Sequence, residues 1–282
     1  MSECNDLKNA EMIARHAGKI LMAGYESVTS SLNIEYKGAI NLVTDFDRKS
    51  EQYIVSKLQE LYPNDSILAE ESGLHGDRTG RVWCIDPLDG TTNFAHGLPF
   101  FTVSIALLID SVPHSGVVYN PVFDWMFSVE KGVRGTLNGS VLGKLENGTL
   151  ERALVLYGCG YDRRLNPERY IRMMETYMVA SQGIRRTGSA SLDCCLVAWG
   201  KADAYVEVNL FPWDLAAGAL LAEAAGAIVT DVNGEKFDAF SGRIMVGRPG
   251  VHSDILEISK KEKLFIEELS GKWDTGRNFD RM

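Results

Sequence analysis

The chain has 282 residues, 45% hydrophobic and 24% charged, a balance that suits one large globular domain or two joined ones. Its formal net charge of -9 argues against a nucleic-acid binder working through a basic face, and no apolar run approaches the roughly 20 residues of a membrane helix. Five cysteines occur without a CxxC pair, and the N-terminus lacks the basic-then-apolar order of a secretory signal. Reduced thiols and a cytoplasmic location are therefore expected.

Leu7, Ala10, Ile13, Ala14, Ala17, Ile20 and Leu21 recur at helical spacing, which predicts an amphipathic helix over roughly the first 25 residues. A short strand is expected at 32–36 and a loop at Lys37-Gly38-Ala39. A second helix is expected to start at Thr44 as its N-cap, with Asp45 and Asp47 in its first turn. It runs through Ile54, Leu58 and Leu61 until Pro63 stops it. Strands follow at 66–69, 81–85, 102–109, 116–119 and 123–129, with Asn138-Gly139 as a hairpin turn. Beyond about residue 150, strands at 153–158, 183–186, 204–207, 227–231 and 244–247 alternate with helices at 167–180, 191–199, 212–225 and 254–268. No Ser- or Pro-rich linker separates the halves. The expected organisation is residues 1–150 as helices plus an antiparallel sheet, and 151–282 as an α/β half.

The densest chemical signal is Cys84-Ile85-Asp86-Pro87-Leu88-Asp89-Gly90-Thr91-Thr92-Asn93-Phe94. Pro87 fixes φ and removes a backbone donor, making a rigid turn that can aim Asp86 and Asp89 at one point. Two bare carboxylates there repel, and a hard cation with oxygen ligands relieves the repulsion. Gly90-Thr91-Thr92 opens a helical turn whose backbone N–H groups suit a phosphate. A bare DxxDG by itself reads first as an acidic turn with Asp caps. Asp214, in the first turn of an Ala-rich helix, reads by itself as a cap. Glu70 reads by itself as half of an exposed acidic pair with Glu71, and Arg185-Arg186 as a solvated basic patch or a contact for a second phosphate.

Taken whole, the eleven-residue segment resembles the signature of the inositol monophosphatase family, within the lithium-sensitive, Mg²⁺-dependent phosphatase superfamily. Pro212-Trp213-Asp214-Leu215-Ala216-Ala217-Gly218, followed by Glu223-Ala224-Ala225-Gly226, resembles its second signature. Leu68-Ala69-Glu70-Glu71-Ser72 resembles a third metal-binding piece, and Asn41-Leu42-Val43-Thr44-Asp45-Phe46-Asp47 the segment that supplies a catalytic Asp. The resemblance runs from about residue 10 to 247. It implies a sugar-phosphatase-like layered sandwich, α+β / α/β in the order αβαβα, with an antiparallel-sheet half and a mixed-sheet half. The first half would carry most metal ligands, and the second Asp214 and the substrate-recognition residues.

The resemblance also implies two to three Mg²⁺ ions. Glu70, Asp86 and the Leu88 carbonyl would hold the first, and Asp86, Asp89 and Asp214 the second. Catalysis by a metal-activated water would fall to Thr91, held by Asp45, and to Glu70. Substrate binding would fall to Gly90, Thr91, Thr92, Gly188, Ser189, Ala190, Glu207 and Asp214. The implied partner is a small phosphorylated polyol or sugar, myo-inositol monophosphate first. Alternatives are fructose 1,6-bisphosphate, histidinol phosphate, or a non-catalytic regulatory member of the same fold. Li⁺ sensitivity and a homodimer follow from the same resemblance.

Overall fold

The structure, a computed structural model, describes residues 6–30, 36–160 and 162–265. Two long helices, α1 (Asp6–Ser30) and α2 (Tyr36–Leu61), lead into β1 (Ser66–Ala69), β2 (Gly73–His75), β3 (Arg81–Asp89) and the short helix α3 (Thr91–Ala95). A meander follows through β4 (Thr102–Ile109), β5 (Val112–Asn120), β6 (Trp125–Glu130), β7 (Thr136–Leu137) and β8 (Ser140–Val141). The second half runs β9 (Leu154–Tyr157), α4 (Pro167–Ala180), β10 (Gly183–Arg185), α5 (Ala190–Ala198), β11 (Ala204–Val208), α6 (Pro212–Ala224), β12 (Ile228–Thr230), β13 (Arg243–Gly247) and α7 (Val251–Lys261).

The first sheet has strand order β2-β1-β3-β4-β5-β6-β7-β8 and is antiparallel except where β1 meets β3. The second, β10-β9-β11-β13-β12, is mixed: β9 is parallel to both neighbours, and β13 is antiparallel to both of its own. Strand alternation then builds five layers. On β3, Trp83 and Ile85 pack with Ile13, Leu21, Ile54 and Leu58 of α1 and α2, while Val82 and Cys84 face Leu192, Leu215 and Ala219 of α5 and α6. On β11, Tyr205 joins that same middle layer. Ala204, Val206 and Val208 point the other way, towards Tyr170, Met173 and Ile255 of α4 and α7. The order is α/β/α/β/α, as the resemblance implied.

Sandwiched between two sheets, α6 is buried continuously from Pro212 to Ala222, so its sequence is apolar all round rather than striped. Small residues let it approach: a Cβ on Gly218 would meet Cys194 Cβ at 2.6 Å, and one on Gly116 would meet Ala217 Cα at 2.8 Å. Cys84, Cys194 and Cys195 are buried free thiols. Among the described residues, no helix is long and apolar enough to cross a membrane.

Some elements differ from expectation. Helix α2 begins at Tyr36 rather than Thr44, absorbing the loop expected at Lys37-Gly38-Ala39. Gly38 alone lowers helix propensity there, by about 1 kcal/mol, and the rest of the helix outweighs it. The strand expected at 32–36 lies, apart from Tyr36, outside the described residues. Sheet strand β6 starts at Trp125, after a turn in which Asp124 takes φ 51°. Helix α7 spans Val251–Lys261, and the end expected at Glu268 lies outside the described residues. Asn138 and Gly139, with φ 50° and 77°, form the expected two-residue hairpin turn.

Candidate functional site

Strict alternation would send the side chains of residues three apart on a strand to opposite faces. Asp86 and Asp89 escape this because β3 carries an extra residue between them. Asp86 stands opposite Ser104 and Asp89 opposite Thr102, so three steps on β3 match two on β4. The Asp86 carboxylate accepts from Leu88 N at 2.9 Å, which fixes the Pro87 turn. Gly90 follows at φ 93°, and a Cβ there would strike Phe100 O at 2.7 Å. Only glycine fits.

Asp214 arrives from the first turn of α6. One of its oxygens accepts from Phe211 N at 2.8 Å, so the cap reading holds for that oxygen. Ligand atoms of Asp86, Asp89 and Asp214 all lie within 4.8 Å of one another, and all three side chains are buried. Burial pushes Asp86 and Asp214 well above the ordinary carboxylate range, and repulsion from Glu70 and Asp89 pushes the same way. Glu70, in the turn after β1, is pushed up to about 8 by burial and by the negative charge of Asp47. Such a cluster cannot stay fully ionised without a positive partner. The donor set is all oxygen, and Asp47 Oδ1 is buried with no hydrogen-bond partner among the described residues. Both features fit a hard divalent cation.

Glu70, Asp89 and Asp214 open onto a cavity of about 240 Å³. Gly90, Thr91 and Thr92 line it with them, as do Gly158, Cys159, Gly160, Arg163, Arg186, Gly188, Ala190, Leu210 and Glu207. Glu207 sits on the same face of β11 as Tyr205, whose hydroxyl donates to it at 2.6 Å. Burial raises the Glu207 carboxyl to about 7, against the lowering effects of that hydrogen bond and of Arg186. A Cβ on Gly158 would overlap the Glu207 carboxylate. Glycine there keeps the wall open.

Most expected site residues therefore meet in one place, but four do not line the cavity. Asp86 and Leu88 are buried, 2% and 0% exposed; the Leu88 carbonyl accepts from Thr91 Oγ1 at 3.2 Å. Ser189 is buried, with its hydroxyl donating to Asp89 Oδ2 at 2.7 Å. Its hydroxyl is committed to that acid. Asp45 lies on the exposed side of α2, where it does not hold Thr91. Two residues on, about 200° around the helix, Asp47 is buried and raised to about 8 by burial and by Glu71 and Glu51.

Asp47 is the residue that sequence reasoning passed over. Its signal was present: Asp47, Ser50, Glu51, Ile54 and Leu58 form one helical stripe, and all are buried. Arg163 and Cys159 were also missed, because they reach the cavity from the loop between β9 and α4. Of the arginine pair, Arg186 lines the cavity, whereas exposed Arg185 donates to Ile184 O at 2.7 Å.

The model of the inositol monophosphatase family matches residues 5–264. The phosphatase IMPL1, chloroplastic, of Arabidopsis thaliana is 37% identical over 91% of this chain and 70% of its own length. A putative Nus factor SuhB of Neisseria meningitidis is 37% identical over 89% of this chain and 97% of its own. Among solved structures, the inositol monophosphatase from Anabaena (Nostoc) superposes with a TM-score of 0.82 at 35% identity, covering 90% of this chain and 95% of its own.

Proposed function

Because this chain belongs to the inositol monophosphatase family, a family of phosphatases, we propose that it hydrolyses small polyol phosphate monoesters, myo-inositol monophosphate foremost, with Mg²⁺ as cofactor. One observation carries the reading. Three buried carboxylates from two distant elements converge beside Gly90-Thr91-Thr92, and Glu207 lines the same cavity as Asp89 and Asp214.

Glu70, Asp86, Asp89 and Asp214, with the Leu88 carbonyl, would hold the divalent cations, two to three in number. When bound, these supply Lewis-acid polarisation and neutralise charge on the phosphate. The chain does the rest. Gly90, Thr91 and Thr92 cradle phosphate oxygens through the Thr92 hydroxyl and the free N–H groups of the first turn of α3. Thr91 Oγ1, anchored on Leu88 O, orients the attacking water, and Glu70 accepts its proton. Asp47, buried against Glu70, takes the supporting place expected of Asp45. Glu207 accepts from hydroxyls of the polyol, beside Gly188 and Ala190.

The same family reading extends to Li⁺ sensitivity, a homodimer and a cytoplasmic location. A second substrate reading rests on Arg163 and Arg186, which give the polyol wall two cations: a bisphosphate such as fructose 1,6-bisphosphate would meet them with its distal phosphate. Phosphate release with Mg²⁺ from inositol monophosphate, fructose 1,6-bisphosphate and histidinol phosphate decides between them. Inositol monophosphate is expected to give the highest kcat/KM. No release from any of the three would contradict the enzymatic reading and leave the regulatory alternative.

A further inference from the structure

We propose that Ser191 and Thr102 are positioning residues for Asp89, fixing which of its carboxylate oxygens is offered to a cation; this rests on the reading of Asp86, Asp89 and Asp214 as cation ligands.

The two oxygens of Asp89 are treated unequally. Oδ2 accepts from Ser191 Oγ at 2.5 Å, Ser189 Oγ at 2.7 Å and Ser191 N at 2.8 Å. Among the described residues, Oδ1 receives a single long bond, from Ala190 N at 3.3 Å. Oδ2 is thus saturated with donors, and Oδ1 keeps lone pairs for a cation.

Behind Ser191 stands Thr102, with 2.7 Å between the hydroxyl oxygens and both residues 0% exposed. The direction of this bond follows from counting protons. An ionised carboxylate only accepts, so the single Ser191 hydroxyl proton goes to Asp89. Thr102 Oγ1 must then donate to Ser191 Oγ. A one-way chain runs Thr102 to Ser191 to Asp89, crossing from β4 to α5 and back to the end of β3. In a dry interior each bond polarises the next.

A purely structural role, tying the start of α5 to the sheet, predicts lower stability without a change in cation binding. Calorimetric titration of Mg²⁺ into the metal-stripped full chain, with the Tm of the metal-free protein measured alongside, separates the two. Ser191→Ala is expected to weaken Mg²⁺ binding by about 10–100-fold while the metal-free Tm stays within a few degrees of wild type. Thr102→Val is expected to weaken it less and to add nothing in the Ser191→Ala background, whereas Thr102→Ser restores wild-type binding. Wild-type affinity in Ser191→Ala overturns the inference, and full additivity of Thr102→Val overturns the relay. Should Ser191→Ala fail to fold, Thr102→Val set against Thr102→Ser decides: equal affinities overturn the inference. An absence of Mg²⁺ binding by the folded wild-type chain would instead overturn the cation reading beneath it.

Discussion

Two groups of residues around the cavity are built in opposite ways. Asp86, Asp89 and Asp214 are at most 7% exposed, and each is held by hydrogen bonds from backbone or hydroxyl donors. Arg163, Arg186 and Gly188, which line the same cavity, stand exposed on loops that follow β9 and β10. Buried groups with fixed partners hold their geometry because moving any one leaves another unsatisfied. Exposed loop residues change at little cost to the core. On the proposed function, the chemistry would rest on the buried acids and substrate choice on the exposed loops. Glu207 stands between, loop-facing in role yet buried on a central strand.

The sharpest way to break this contrast is within α2. Asp47→Asn is expected to lower kcat at least about tenfold, as loss of a group supporting proton transfer does, while Asp45→Asn stays within about twofold of wild type. Steady-state phosphate release measures both, and the reverse ranking would restore Asp45 to the role first expected of it.

A smaller effect is expected at Glu207. Its carboxyl titrates at about 7 in the folded chain, so it becomes a full acceptor for polyol hydroxyls only as pH rises through 7. KM for inositol monophosphate should fall between pH 6 and 8 in wild type, with kcat changing less. Glu207→Gln should raise KM by several-fold at pH 8 and flatten this fall; a KM profile unchanged by the substitution would remove Glu207 from the binding wall. The stability sign runs the other way. A carboxyl whose folded pKa lies above its unfolded value contributes less stability as pH rises from the unfolded value of about 4.3 to 7.

Most helices and strands were legible because the stripe on α1 and the β-branched runs bounded by turn residues are local patterns, whereas the layer order came only with the family resemblance. Part of the site was legible too, since Asp86-Pro87-Leu88-Asp89-Gly90 compresses a bulge, a turn and a helix start into five residues. What escaped depends on docking. That Ser189 turns inward to Asp89 is decided by where α5 abuts β3, and that Asp214 meets Asp86 is decided by α6 packing under the first sheet. Asp45 and Asp47 are separated by a different feature. A helix start at Thr44 makes both acids first-turn residues, whereas the start at Tyr36 leaves Asp47 at the head of the buried stripe and Asp45 on the exposed side.

The whole account turns on whether these buried acids work by holding divalent cations. Phosphate release from inositol monophosphate, followed as Mg²⁺ is titrated into the chelator-stripped protein, tests that most directly, with Asp89→Asn run in parallel. The account predicts no turnover before Mg²⁺ is added, saturable recovery in wild type, and a loss of at least about a hundredfold in the variant. Undiminished turnover in excess chelator, or in Asp89→Asn, would contradict it.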